Sequence, residues 1–286
     1  MQPQNDLRIR RFTTEDIDFG MHMKTLAGWN QLPEDWERFL AWEPEGCFVA
    51  TWDGRPAGTA IAIGYDDRFG WVGMVLVDPE QRRKGIGRAL LMACIEYLEA
   101  RGVAAVKLDA TPMGKQLYDT IGFHDEYLLE RHTVLAKPQT VAGSVVSLSP
   151  ERLSAVLELD FAAFGADRSR VLRALHLATG VDGFVALEGA ALAGFAFVRP
   201  GTNARYLGPW VACGPEAAEA LLHSALNRCA GQQLYVDISL ANPHTATMVA
   251  VCGFSKQRHL IRMYRGVNSY PGDTGLVYGV AGPEIG

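Results

Sequence analysis

Three consecutive cations, Arg82, Arg83 and Lys84, stand directly before Gly85-Ile86-Gly87, and Arg88 follows. Cationic side chains beside glycines are a means of holding an anion. Glycine lets the backbone approach a ligand closely, and amides at the start of a helix point outward with partial positive charge. A diphosphate suits such a turn. The same residues would also serve as a solvated connection. A dinucleotide loop fits poorly although Asp109 lies downstream, because Leu90 occupies the third glycine position of G-x-G-x-x-G. No Gly-Lys-Ser/Thr follows, which removes the P-loop reading.

The elements around the turn are legible. Trp71 to Val77 is an apolar run with the length of a buried strand, and Asp78-Pro79 ends it because proline has no N–H for a ladder. From Gly87, Leu91, Ile95 and Leu98 recur at helical spacing until Arg101-Gly102. Upstream, Leu7 to Arg11 reads as a strand and Thr14-Glu15-Asp16 as a helix start. Gly28-Trp29-Asn30 interrupts the helical region, and a second helix runs from Pro33 to Ala41. Asp53-Gly54 marks a hairpin between strands at 47–52 and 58–63. Downstream come a strand at 103–108, a helix at 113–121 and a closing strand at 127–136. This order predicts an α/β fold with a mixed, mostly antiparallel sheet flanked by helices.

After Lys137-Pro138-Gln139-Thr140 the pattern begins again. Ile9 matches Val145, Cys47-Phe48-Val49-Ala50 matches Gly183-Phe184-Val185-Ala186, Gly58 matches Gly194, and Pro79-Glu80 matches Pro215-Glu216. The separations 145 − 9, 183 − 47, 194 − 58 and 215 − 79 all equal 136. Gly122-Phe123 matches Gly253-Phe254 at 253 − 122 = 131, so five residues are lost in between. The loss falls on the cationic turn, where GPEAAEALL replaces DPEQRRKGIGRALL, and Val249 stands at the position of Tyr118. Two tandem domains are expected, 1–137 and 138–286.

Arg82-x-x-Gly85-x-Gly87 after strand and Asp-Pro resembles the Q/R-x-x-G-x-G/A signature of the GNAT superfamily of acyl-CoA-dependent N-acyltransferases. Leu117-Tyr118-Asp119-Thr120-Ile121-Gly122-Phe123 is similar to that family's tyrosine-bearing helix. The likeness covers residues 7–136 fully and the rest more faintly, where the chain resembles the degenerate second half of YitH-type two-domain members. The resemblance implies two GNAT folds, with acetyl-CoA bound by the first. It puts the diphosphate on Arg83, Lys84, Gly85, Gly87 and Arg88, with Arg82 in the signature, and the pantetheine arm along Leu76 and Val77. A backbone amide near Leu76 would face the developing oxyanion. Tyr118 is implied as general acid, since a phenol with its ordinary pKa near 10 stays protonated. The aromatic ring would equally serve packing.

The base is less defined. No titratable side chain lies in the strand 71–77. Asp109 is the candidate, with helix capping or a hydrogen bond to the loop at Thr111 as its other reading, while Glu45, Asp66, Asp67 and His124 read as solvated. A base acting through water or from the second half stays open. Trp29, Asn30, Tyr65 and Trp71 are expected to shape the acceptor pocket, and Tyr206, Trp210 and His244 could close it from the second half.

Composition bounds these readings. A chain of 286 residues with 48% hydrophobic and 21% charged residues is that of a globular protein with two cores. A net charge of −5 argues against general nucleic-acid binding and favours a small anionic ligand for the basic turn. Five cysteines without C-x-x-C spacing read as reduced packing thiols rather than a zinc site, so no metal is expected. The first residues lack the apolar core of a signal peptide and no run approaches a membrane span, so a cytoplasmic protein with no membrane partner is expected. The leading expectation is acetyl transfer to the primary amine of a small molecule, covered by the second domain. A protein acetyltransferase with an open groove and a non-catalytic acyl-CoA-binding module are the alternatives.

Overall fold

The computed structural model describes residues 6–286. The first half runs β1 (Leu7–Arg11), α1 (Ile17–Leu26), α2 (Pro33–Trp42), β2 (Cys47–Trp52), β3 (Arg55–Tyr65), β4 (Phe69–Val77), α3 (Ile86–Ala100), β5 (Ala105–Ala110), α4 (Pro112–Asp119) and β6 (His124–Leu135). The second half repeats the order as β7 (Ser144–Ser147), α5 (Leu153–Phe164), α6 (Ser169–Leu177), β8 (Asp182–Glu188), β9 (Ala191–Arg199), β10 (Arg205–Ala212), α7 (Pro215–Arg228), β11 (Gln233–Ser239), α8 (Thr245–Val251) and β12 (Ser255–Gly266). A short β13 (Val277–Gly279) follows. The expected α/β architecture and order of elements are present in both halves.

Local chemistry explains the main pieces. Asp53 and Gly54 both adopt positive φ, 49° and 79°, which matches the twist of the β2–β3 hairpin. The face of α3 formed by Ile86, Leu90, Leu91, Cys94, Ile95 and Leu98 is buried against the sheet. At about 1.5–3 kcal/mol for each large aliphatic side chain, that stripe anchors the helix behind the basic turn. The matched pair Gly58 and Gly194 has one steric cause. A Cβ at either would lie 2.7 Å from Leu76 O or 2.8 Å from Val211 O.

The two halves do not form separate sheets. Thirteen strands make one sheet in the order β1-β2-β3-β4-β5-β12-β6-β11-β13-β10-β9-β8-β7. The expected closing strand of the first half, β6, pairs with β11 and β12, while β12 pairs along β5. The halves thus exchange their last strands. Sequence periodicity cannot reveal this, because β6 and β12 have the same length and character and either could close either sheet.

Both halves splay at the same place. Strands β4 and β5 are parallel neighbours only over Phe69–Trp71 and Ala105–Lys107, and beyond Trp71 they part. A bulge leaves Met74 and Val75 without partners in β3, with Met74 at φ 52° and its carbonyl accepting from Thr59 Oγ1 at 2.9 Å. In the second half β10 and β11 likewise pair only over Arg205–Leu207. There the gap is filled by β13, which joins Trp210 and Val211 on one side and Ile238 on the other. No helix among the described residues is long and apolar enough to cross a membrane.

Candidate active site

The basic turn is shaped to present amides. The Asp78 carboxylate accepts from Glu80 N at 2.9 Å and opens a short 3-10 turn. Arg83 and Gly85 then adopt left-handed φ values of 63° and 82°, and α3 begins without a side-chain cap. Its first amides are free for a ligand. Among the described residues, no carboxylate lies within ion-pair distance of Arg82, Arg83, Lys84 or Arg88. Lys84 instead rests 4.8 Å above the Trp52 ring and donates to Gln81. A Cβ at Gly87 would touch Val77 at 3.4 Å and Leu117 at 3.7 Å and so narrow the groove beside the turn. By contrast α7 starts at Pro215 with Glu216 in its first turn, so the five missing residues are those of the basic turn.

That groove lies in the splay. It is lined by Val75, Leu76 and Val77 from β4, Arg82 and Gly87 from the turn, and Leu117 and Tyr118 from α4. Leu76 sits in register with Thr59, and Asp78 N donates to Ala57 O at 2.9 Å. Alternation along an antiparallel ladder therefore turns the Leu76 amide toward β3 and the Val77 amide toward the groove. Next to Leu76, the bulge residue Val75 has no ladder partner in β3. Unpaired cations, free amides and a long slot fit the diphosphate and pantetheine arm of coenzyme A.

Behind the groove is a second, smaller space walled by both halves. Trp29, Val75, Thr111, Tyr118 and Arg258 line both spaces. Tyr118 is therefore at the junction. Thr111 caps α4 by accepting from Gly114 N at 3.2 Å, and a Cβ at Gly114 would meet the Tyr118 ring at 3.0 Å. A glycine inside the helix one turn before the tyrosine was the unread signal for this seat. Burial pushes the Tyr118 phenol up to about 12, and no described hydrogen bond engages its hydroxyl.

Several expected roles change. The Asp109 side chain is wholly buried, and its two oxygens accept from Arg262 Nε and Nη2 at 2.8 and 2.9 Å. It borders the cavity but is committed to that pair, so it is neither a free base nor a cap. Asn30 spends its amide on Asn203 N, Ala204 N and Ala204 O and fastens the α1–α2 loop to the second half. Tyr65 is buried and donates to Ile285 O at 2.7 Å, and Trp71 Nε1 donates to Pro283 O at 3.0 Å. Neither borders the acceptor-side cavity, which leaves Trp29 alone of the four expected there. Tyr206 donates to Asp237, Trp210 Nε1 bonds Ala218 O in the second core, and His244 precedes α8. The cavity wall instead draws Arg131, Arg258 and Glu284 from the exchanged strands and the segment after β13, with Gln31 from the first half. Only the strand exchange brings Arg131 and Arg258 together.

Two family models match the chain. One described as an acetyltransferase (GNAT) family covers residues 17–123, and one described as an acetyltransferase (GNAT) domain covers 156–279. Holothin acyltransferase of Pseudoalteromonas sp. (strain SANK 73390) is 26% identical over 254 residues, 88% of this chain and 85% of that protein. The uncharacterized N-acetyltransferase YitH of Bacillus subtilis (strain 168) is 27% identical over 192 residues, 66% of each chain. A solved structure from Pyrococcus horikoshii assigned as an acetyltransferase superposes with a TM-score of 0.86 at 26% identity, over 100% of this chain and 99% of that one. A tandem GNAT protein from the clavulanic acid biosynthesis pathway shares the fold, with a TM-score of 0.67 at 17% identity over 91% and 98% of the two chains. Splayed sheet, uncapped basic helix start and family matches together define an acyltransferase. The chain belongs to the GNAT superfamily, as a two-domain N-acetyltransferase.

Proposed function

We propose that the protein transfers an acetyl group from acetyl-CoA to the primary amine of a small molecule. On this reading residues 1–137 supply the cofactor site and most of the chemistry, and residues 138–286 cover the acceptor. The observation that carries it is the Tyr118 hydroxyl, without a hydrogen-bond partner among the described residues, where the groove beside the basic turn meets a cavity walled by both halves.

Acetyl-CoA, when bound, supplies the activated thioester. Arg83, Lys84, Gly85, Gly87 and Arg88 would hold its diphosphate, aided by Arg82, while Leu76 and Val77 would flank its arm. The Val75 amide, without a ladder partner, would donate to the carbonyl oxygen. Tyr118 Oη keeps its proton and would deliver it to the departing thiolate. Glu284, held through Oε1 by Arg199 Nη2 at 3.0 Å, would take the proton from the incoming amine on its other oxygen. A cavity enclosed by both halves supports a small acceptor over a protein tail. Five free cysteines, of which Cys47, Cys94 and Cys229 are buried, fit a reducing compartment such as the cytoplasm.

Free thiol release from acetyl-CoA, measured with a panel of small amines and with lysine-bearing peptides, tests the proposal. Turnover with small amines and none with peptides is expected. Turnover of peptides alone would reverse the acceptor assignment, and cofactor binding without release would favour a regulatory binding module.

A further inference from the structure

The acceptor-side cavity has a charge that its walls do not balance. Two acidic and two basic side chains border it: Asp109, Glu284, Arg131 and Arg258. Asp109 is paired with Arg262, Arg131 with Asp237 and Glu284 with Arg199. Arg258 has no carboxylate within ion-pair distance among the described residues, and its Nε is buried without a hydrogen-bond partner. It also stands directly opposite Arg131 across the β6–β12 ladder, immediately after a register shift at Lys256 and Arg258. Like charges facing each other across two strands are destabilising. Burial and the Arg131 charge together pull the Arg258 guanidinium down to about 10. A fold that keeps a strained cation at the edge of a cavity has placed it for a ligand.

A second unmet group shares the wall. Gln31 is nearly buried, and its Oε1 has no hydrogen-bond partner among the described residues. An unpartnered donor and an unpartnered acceptor therefore belong to residues lining the same space, beside a carboxylate with one oxygen outside the described hydrogen bonds.

We propose that the acceptor carries a carboxylate close to its reactive amine, as an amino acid does, with the carboxylate seated on Arg258 and the amino group on the side of Gln31 and Glu284. This rests on the N-acetyltransferase reading above. Arg258 borders both groove and cavity, so the anion it holds lies near the junction where the amine must react. The anion belongs to the acceptor rather than to a longer acyl group, because Gln31, Arg131 and Glu284 border the cavity and not the groove.

The test compares amino acids with their decarboxylated amines and carboxamides, each with acetyl-CoA, in the wild-type protein and R258Q. A charge-assisted bond predicts kcat/KM about tenfold to a hundredfold higher for the carboxylate form in the wild type. In R258Q the ratio should fall toward one, and R258K should recover part of it. R258Q should also melt at or above the wild-type temperature, since it removes the repulsion with Arg131, which shows that it folds. Equal or better turnover of the decarboxylated amines, or a ratio unmoved by R258Q, overturns the proposal. A wild-type preference for succinyl-CoA over acetyl-CoA that R258Q removes would assign the anion to the donor and overturn it too. Should no amine release thiol, the N-acetyltransferase reading fails first. Calorimetry of amino acids added to the coenzyme A complex then decides this one by itself, with binding to wild type and not to R258Q expected.

Discussion

At the scale of single residues, the site separates groups free to react from groups already engaged. Tyr118 and Asp109 both border the acceptor-side cavity, yet Tyr118 has an unengaged hydroxyl and Asp109 has none of its oxygens free. Tyr118→Phe keeps the ring that fills the space left by Gly114 and removes only the proton. A general acid contributes about a hundredfold to ten-thousandfold, so kcat should fall by a factor in that range while acetyl-CoA affinity is kept. With the phenol raised to about 12 by burial, the acid stays protonated throughout the neutral range. Accordingly kcat should show no descending limb from this group up to pH 10. Stopped-flow thiol detection across pH checks both points, and a Tyr118→Phe protein with unchanged kcat would remove the acid assignment.

At the scale of elements, the strand, basic turn and helix around Arg82–Arg88 could be read from the sequence because their causes are local. Proline ends the strand, glycine accepts a left-handed φ, and a four-residue apolar spacing buries one helix face. The missing turn in the second half was legible for the same reason, as a break in a constant offset. Acceptor residues were not legible, since Arg258 and Arg131 meet only through a strand exchange between distant parts of the chain, and Tyr65 and Trp71 look the same in sequence whether they face a pocket or a neighbouring backbone. The filled gap at β13 was equally hidden. The expected consequence is one cofactor site per chain. Gly87→Asp places a carboxylate where a bare Cβ already touches Val77 and Leu117, and beside amides meant for phosphate. Isothermal calorimetry should give one coenzyme A per wild-type chain and none for Gly87→Asp. Residual binding at half stoichiometry or more would show that the second half retains a site.

At the scale of the whole molecule, the exchanged strands are pinned by two buried ion pairs whose arginines are related by the repeat. Arg131 and Arg262 stand at the offset 262 − 131 = 131, the same as Gly122 and Gly253. Each is the direct cross-strand neighbour of an aspartate from the strand it closes, Arg131 of Asp237 and Arg262 of Asp109. Arg131 reaches Asp237 through Nε at 2.9 Å and Nη2 at 2.5 Å, and Tyr206 adds a bond at 3.0 Å. A slip of the ladder by one residue would bury all four charges apart, so the pairs act against wrong register more than they add net stability. Asp237→Asn leaves the Arg131 charge buried and unpaired, next to Arg258. The expected cost is about 3–5 kcal/mol, read from chemical denaturation as a shifted midpoint. The Arg131 guanidinium holds the Asp237 carboxyl below its ordinary value despite burial. A depressed folded-state pKa contributes stability that is complete above the unfolded value near 3.9 and is lost as pH falls through the folded one. The wild-type protein should therefore lose stability below about pH 4 more steeply than Asp237→Asn, whose curve lacks this group. Because β6 and β12 each lie in the other half's sheet, that loss should appear as a single transition for the entire chain. Two resolved transitions in calorimetry, or parallel acid limbs in the two proteins, would show that the seam is not where the halves are joined energetically.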